Sequence, residues 1–542
     1  MRFRCLVGLL IVAVSAGYAQ DTRVARSGGK NPIDEILDAK WKELKIKPAA
    51  RSDDAEFLRR VMVDIVGTIP EPEEVEKFVA DTDAKKRERK IEQLLASPDF
   101  SGYWADRLTT ALNGYRDRQY PTIDPLRTWL TEKLKAGTPW NKIVEELITA
   151  KGSNKDENST AFVVQQIAKD RTKQVLAVQV SKMFLGIQLQ CAQCHDHPFE
   201  KWKKDDFQSM VAFFGATNLR VIEKAENNRD SEVEVVDVPA RRGGGGGGRG
   251  GAPGGKKPRF IDGTEVDPNG ARQALAKMIT SPENLQFGRA TVNRFWAEFL
   301  GRGFVEPIDD FSSKNEPSMP DLLDALAAGF VESNFDLKWL MRTIANSKAY
   351  QLSSSRKPDQ FKDEDEAREV FAFQIVRPMS AEQTLNALLT AQGLMNLSDL
   401  PKGRPGGGGG GGSPMEQAEE RRERMRRGFI LQLVLTSGTE NQVSPSEYNA
   451  SMQQIMRQLD VNAPIYSGIK ARGFGRLART LRQTRAPEEV IKKLYLSTVS
   501  RPPEAAELQS CLKYFQEHGK TDQAFEDIFF VLLQTNEFFF NH

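Results

Sequence analysis

Cys191-Ala192-Gln193-Cys194-His195 is the densest concentration of reactive side chains in the sequence. Two thiols spaced three apart and followed at once by an imidazole form the pattern by which haem is attached covalently to a polypeptide. The spacing has a physical reason. On a helix, Cys191 and His195 are four residues apart and share a face, with Cys194 beside them. Cys191 and Cys194 then pin the porphyrin edge as thioethers, and the neutral imidazole of His195 serves as proximal ligand to the iron. The cofactor so expected is covalent haem c. Two other chemistries use the same residues. A dithiol redox pair usually sits at a helix start after a strand, whereas Met183 to Gln190 reads as continued helix. A zinc or other non-haem site would draw on Cys191, Cys194, His195 and His197, but four ligands this close in sequence crowd a tetrahedron. His197 falls off the side of the helix that carries His195, and Pro198 biases it to extended geometry. Phe199, Trp202, Phe207, Phe213 and Phe214 either wall a haem or pack as ordinary core.

A haem iron held by His195 needs a second ligand or stays open on that side. His518, in Gln516-Glu517-His518-Gly519, reads as an exposed helix end stopped by glycine. His542 follows Phe538-Phe539-Phe540, an aromatic run that should dock in a core and carry the imidazole inward. Met319 lies between Ser318 and Pro320, in a loop stiff enough to hold a thioether still. Met319 and His542 are therefore the candidates. Elsewhere, Asp309 and Asp310, with Asn293 and Arg294, either line a site or act as helix caps and ion pairs. The chain has four histidines, and its carboxylates show no distinguishing pattern, so no hydrolase constellation is assigned.

The elements that must position these residues are mainly helical, so the expected fold class is mainly α. Ile33 to Asp38 opens one amphipathic segment and Phe57 to Val66 another. Ile69 to Val75 reads as a turn feeding a helix with proline and acids in its first turn. Apolar spacing of three and four recurs through Trp129-Leu130, Ile143-Val144 and Leu147-Ile148. Strand signals are confined to Leu219–Ile222 and Val233–Val238, which suit a small hairpin. Gly243 to Gly248 and Gly406 to Gly412 are expected to be flexible loops, since polyglycine buries too little surface to offset its ordering entropy. Glu416 to Arg427 reads as an exposed charged helix.

Arg2 and Arg4, the apolar run from Cys5 to about Ala16, and the small residues Gly17 and Ala19 have the layout of a secretory signal peptide. The run is too short for a spanning helix, which needs ~20 apolar residues. Export to the periplasm or cell envelope is expected, with Cys5 lost and Cys191, Cys194 and Cys511 retained. Without Arg2 and Arg4 the chain has 74 basic and 74 acidic residues. That neutrality gives no field-level argument for nucleic acid or an anionic membrane. So few cysteines exclude a disulfide-built scaffold, and no later apolar stretch suits a transmembrane segment. The expected division is a signal peptide at 1–19, a helical domain bearing the cysteine motif at 30–217, a small β and glycine-rich insert at 218–267, helical parts at 268–392 and 428–542, and a glycine-rich loop with a charged helix at 393–427.

The residues from Gln190 to Phe199, followed by Asp205-Asp206-Phe207 and Ala212-Phe213-Phe214, resemble the planctomycete cytochrome c-like domain of unknown function. Phe57-Leu58-Arg59-Arg60, Pro70 to Val75 and Leu94-Leu95-Ala96-Ser97-Pro98 extend the resemblance upstream. The family's usual uncharacterised partner domain is resembled by Val292 to Trp296, Gly301 to Val305 and Asp309-Asp310-Phe311. Its end is resembled by Leu494 to Ser497, Ser500 to Pro503 and Asn536 to His542. The resemblance is specific for family membership, while the cysteine motif and the export signal point to an exported monohaem protein acting in electron transfer, or as a redox domain of an envelope assembly, with a redox or envelope partner. The rival expectation is a helical binding or scaffold protein whose cysteine cluster is a structural metal site or disulfide. One departure matters: the partner domain commonly has Ser-His-Pro before an acidic-leucine pair, where this chain has Ser318-Met319-Pro320-Asp321-Leu322. Methionine in place of histidine fits a swap of iron ligands and ranks Met319 slightly ahead of His542. The alternative is a surface loop tolerant of change.

Overall fold

A computed structural model describes residues 31–114, 123–170, 173–193, 203–225, 231–238, 256–357, 359–394, 426, 428–430 and 464–542. The expected signal peptide, both polyglycine tracts, most of the Glu416–Arg427 segment, Cys194, His195, His197, Phe199 and Trp202 lie outside the described residues. The protein is mainly α, with small sheets. It divides into two compact units that alternate along the chain. The first takes Met1–Pro48, Arg118–Tyr350 and Phe361–Ala372; the second takes Ala49–Asp117, Gln351–Gln360 and Phe373–His542.

In the first unit, the Pro32–Leu44 helix shows how local chemistry sets an element. The Asn31 side chain accepts from the Ile33 amide, Pro32 occupies the first turn with Asp34 and Glu35, and Lys45 stops the helix in the left-handed region. Ile33, Leu37 and Trp41 recur every four residues and are buried, and the Trp41 indole donates to the Val370 carbonyl at 2.8 Å. The Trp140–Thr149 and Ala271–Thr280 helices pack together. Arg272, buried, donates to the carbonyls of Ile148 and Ala150 at 3.2 and 2.7 Å, supplying donors at a helix end that has spare acceptors. Its guanidinium also meets Asp237 at 3.0 Å.

Asp237 ends the expected hairpin. Strands Thr217–Glu223 and Glu232–Asp237 pair antiparallel, with Leu219 opposite Val235 and Val221 opposite Val233. A third strand, Gly152–Ser153, joins the free edge of Glu232–Asp237.

The second unit is organised around the Asp54–Val66 helix, in which every residue from Phe57 to Val66 is buried. Asp53 caps it by accepting from the Glu56 amide at 2.8 Å. Val63 and Ile69 share one hydrophobic core with Leu385, Leu388, Leu477, Leu494, Phe529 and Phe538. A two-stranded sheet pairs Arg377–Pro378 with Phe540–Asn541.

Candidate functional site

The Gln174–Leu185 helix leads to the cysteine motif. It stops at Gly186, where φ is 65° and ψ is 30°. A side chain at Gly186 would run into the Phe311 ring, so the left-handed stop and the close approach both select glycine. Ile187 to Leu189 are not helical, and Gln190–Gln193 is a 3₁₀ turn. The expectation of continued helix from Met183 to Gln190 is therefore corrected: the glycine ends it five residues before Cys191. Cys191 sits on a 3₁₀ turn, and an α-helical face does not account for its placement.

That turn is anchored on both sides. Ala192 and Leu189 are buried, and the Gln193 side-chain amide donates to Gln174 Oε1 at the start of the preceding helix. On the approach, the Phe311 amide donates to the Gly186 carbonyl at 2.8 Å. Asp309 meets Lys182 at 2.8 Å and accepts from the Gln188 side-chain Nε2 at 2.9 Å. Asp309 thus clamps the residues before and after the helix break.

The segment carrying Asp309 is itself held from within. Asn293, fully buried, accepts from the amides of Phe304 and Val305 at 2.7 and 3.1 Å. It donates to the carbonyls of Val305 and Ile308 at 3.1 and 3.0 Å. Four hydrogen bonds use the carboxamide in full. Gly303 packs so closely on Asn293 and the Val305 carbonyl that a side chain there would clash. Asn315 donates to the carbonyls of Glu306 and Asp310, both at 2.9 Å. Asp309 makes an ion pair, as one of the two readings has it, whereas Asn293 lies within the Leu285–Leu300 helix and closes a loop in place of capping a helix.

Downstream of the motif, the Lys204–Ala212 helix is fixed by the aspartates of the Asp-Asp-Phe segment. Asp206 accepts from the Lys203 amide and pairs with Arg259, each at 2.9 Å, and Asp205 pairs with Lys256 at 2.8 Å. Phe207, Phe213 and Phe214 are buried as core.

Met319 shares the first unit with Cys191. It is 5% exposed, at the position before the Pro320–Glu332 helix, which does not fit the alternative of a surface loop. Its backbone serves the helix start, the Leu323 amide donating to its carbonyl at 3.1 Å. His542 belongs to the second unit. The aromatic run does dock, with Phe538 and Phe539 buried. A backbone oxygen of His542 accepts from Arg60 Nε at 3.1 Å. Burial, helped by the nearby charge of Arg59, pushes its imidazole down to about 4, so at neutral pH it is in the uncharged form that ligates metals. His518 is the exposed helix end that was expected. Cys511 is a free, half-buried thiol, 4.0 Å from the Tyr495 hydroxyl and pushed up by burial. Among the described residues no group of three or more His, Cys, Asp or Glu is gathered as metal ligands.

Sequence reasoning missed the roles of Arg59 and Arg60. Both are fully buried. Arg59 donates to the carbonyls of Thr498, Glu537 and Phe538 at 2.8, 3.2 and 2.8 Å and to the Ser500 hydroxyl at 3.3 Å. Arg60 pairs with Glu56 at 2.6 Å and donates to the Leu352 carbonyl at 2.8 Å. The available signal was two cations inside an otherwise apolar helical run.

Two family models match the chain. PSCyt2, a protein of unknown function (DUF1549), matches residues 32–219. PSD1, a protein of unknown function (DUF1553), matches residues 271–515. The chain is a PSCyt2–PSD1 protein. The PSCyt2 match begins with the Pro32–Leu44 helix and ends inside the first hairpin strand, and the PSD1 match opens on the Ala271–Thr280 helix. Each match supplies segments to both compact units. No curated protein and no solved structure matches the chain.

Proposed function

We propose that this is an exported, c-type cytochrome-like protein that carries one covalent haem and works in electron transfer, or as the redox part of an envelope assembly. The observation that carries the reading is the Cys-Ala-Gln-Cys-His motif opening on a turn set off from its helix by Gly186 and clamped through Asp309. The donor set fits haem c: two thiols for thioether links, a following imidazole for the iron, and Met319, in the same unit as Cys191, as second ligand. When bound, the group supplies a one-electron couple. The chain's own part is to hold Cys191 on a short, anchored turn, so that little backbone has to be ordered at attachment.

Protein made with a haem-attachment system should show a Soret band that survives acid-acetone extraction. Cys191→Ala or Cys194→Ala should lose a thioether link, and His195→Ala should disturb iron ligation. Met319→Ala should abolish a thioether-to-iron charge-transfer band and lower the reduction potential. Stoichiometric zinc without haem, in protein from its native host, would overturn the reading in favour of a structural metal site.

The helix break at Gly186 favours a second reading, in which Cys191 and Cys194 form a dithiol or disulfide in a helical binding or scaffold protein. Two thiols that oxidise reversibly in folded, haem-free protein would support it.

A further inference from the structure

The near-neutral chain conceals one sharply basic surface. Residues 461–487 contain six cationic side chains and no acidic one. Three of the six have carboxylate partners: Lys470 meets Glu526 at 3.2 Å, Arg485 meets Asp522 at 2.6 Å, and Arg476 is bonded to Glu71. Arg472, Arg479 and Arg482 are exposed. Between them stands Phe474, 89% exposed. A bare ring of that size is the informative exception on a protein surface.

The ring is presented by an ordered loop. Gly475 packs directly on the Gly468 backbone, leaving no room for a side chain, and this closes the base of the loop. Arg479 donates to the Phe474 carbonyl at 3.1 Å and to the Gly393 carbonyl at 3.0 Å. Arg482 donates to the Gly473 carbonyl at 3.3 Å. The Ala471 amide is held by Glu526 at 2.8 Å. These bonds order the tip in advance and reduce the entropy lost when it engages a surface.

We propose that this loop, with Arg479 and Arg482, docks the protein on a bilayer rich in anionic phospholipid. Phe474 enters below the headgroups, and Arg472, Arg479 and Arg482 pair with lipid phosphates. An apolar tip ringed by cations matches an interface whose anionic layer overlies an apolar one. Single-stranded nucleic acid fits less well, because it is gripped by successive aromatic faces, and Phe474 is the only exposed large aromatic among the described residues. The site is independent of any haem at Cys191.

The test is co-sedimentation of the full chain with phosphatidylcholine vesicles and with vesicles that also carry phosphatidylglycerol. Binding should require phosphatidylglycerol and weaken with salt. Arg472→Gln or Arg482→Gln should each lower it about fivefold. Phe474→Ala should lower it roughly tenfold, while Phe474→Leu keeps most of it. Wild-type melting temperatures would confirm that the variants are folded. No binding to phosphatidylglycerol vesicles, unchanged binding by Phe474→Ala, or preference for a single-stranded oligonucleotide over vesicles would each overturn the proposal.

Discussion

Two sets of arginines in the second unit have the same side chain and opposite circumstances. Arg59 and Arg60 are enclosed on the Asp54–Val66 helix, with their guanidinium groups turned onto backbone oxygens from distant parts of the chain. Arg479 and Arg482 lie on the surface of the Arg476–Gln483 helix and bond to nearby loop carbonyls, leaving their charge facing solvent. A guanidinium offers five donors in a fixed plane. When buried it can gather several chain segments at once, and when exposed it can order a loop while remaining a charge. Even the buried neighbours differ. Arg60 has the Glu56 carboxylate, whereas Arg59 is held by neutral acceptors. Burial brings Arg59 down to about 10, still well above neutral pH, so it remains a cation among carbonyls.

The comparison breaks most visibly at Arg59. Arg59→Met leaves three carbonyls and the Ser500 hydroxyl without their donor, and should cost about 3–5 kcal/mol in urea unfolding. A loss below about 1 kcal/mol would mean that those acceptors find water and that the enclosure is not what holds the chain end. Glu56 is expected to give a smaller, pH-dependent effect. Burial works to raise its carboxyl, but the charge of Arg60 and hydrogen bonds from Ser354 and Ser353 outweigh it and hold the group below its usual value of 4.5. A depressed carboxylate contributes stability above its unfolded value and loses it as pH falls through the folded one. Glu56→Gln should therefore flatten the acid limb of the stability curve and leave its slope near neutrality unchanged; an unaltered acid limb would remove Glu56 from the account. The smallest effect belongs to the exposed set. Arg485→Gln breaks only a surface pair with Asp522 and should change stability by less than about 0.5 kcal/mol. A larger loss would show that the exposed arginines also support the core.

Much of the helical framework was legible because its signals are local. Pro32 and Asp54 open helices where capping residues precede an apolar period, and the Thr217–Asp237 hairpin follows from β-branched alternation. The strand Gly152–Ser153 was invisible because two residues have no period. At the candidate site, the motif itself was legible but its setting was not. Gly186 carried a readable stop signal, which the long apolar run around it concealed. The clamp from Asp309 to Lys182 and Gln188, and the bonds of Asn293, are long-range pairings that one sequence does not specify. The burial of Met319 was not legible, because a methionine between serine and proline suits a stiff loop and a tolerant surface loop equally well. Overall charge balance also concealed the patch around Phe474, since a sum over the chain discards position.

The shared core of Val63 and Ile69 with Leu385, Leu477 and Leu494 has a consequence for inheritance. Val63 and Ile69 fall in the PSCyt2 match and the three leucines in the PSD1 match. A gene that lost the PSCyt2 stretch would leave this core without Val63 and Ile69, and one that lost the PSD1 stretch would expose those two side chains to water. Shuffling between genes can separate modules that fold alone, but it cannot profitably cut here. Selection should therefore transmit the two stretches together, and a break between them should be tolerated only where the missing stretch is supplied separately.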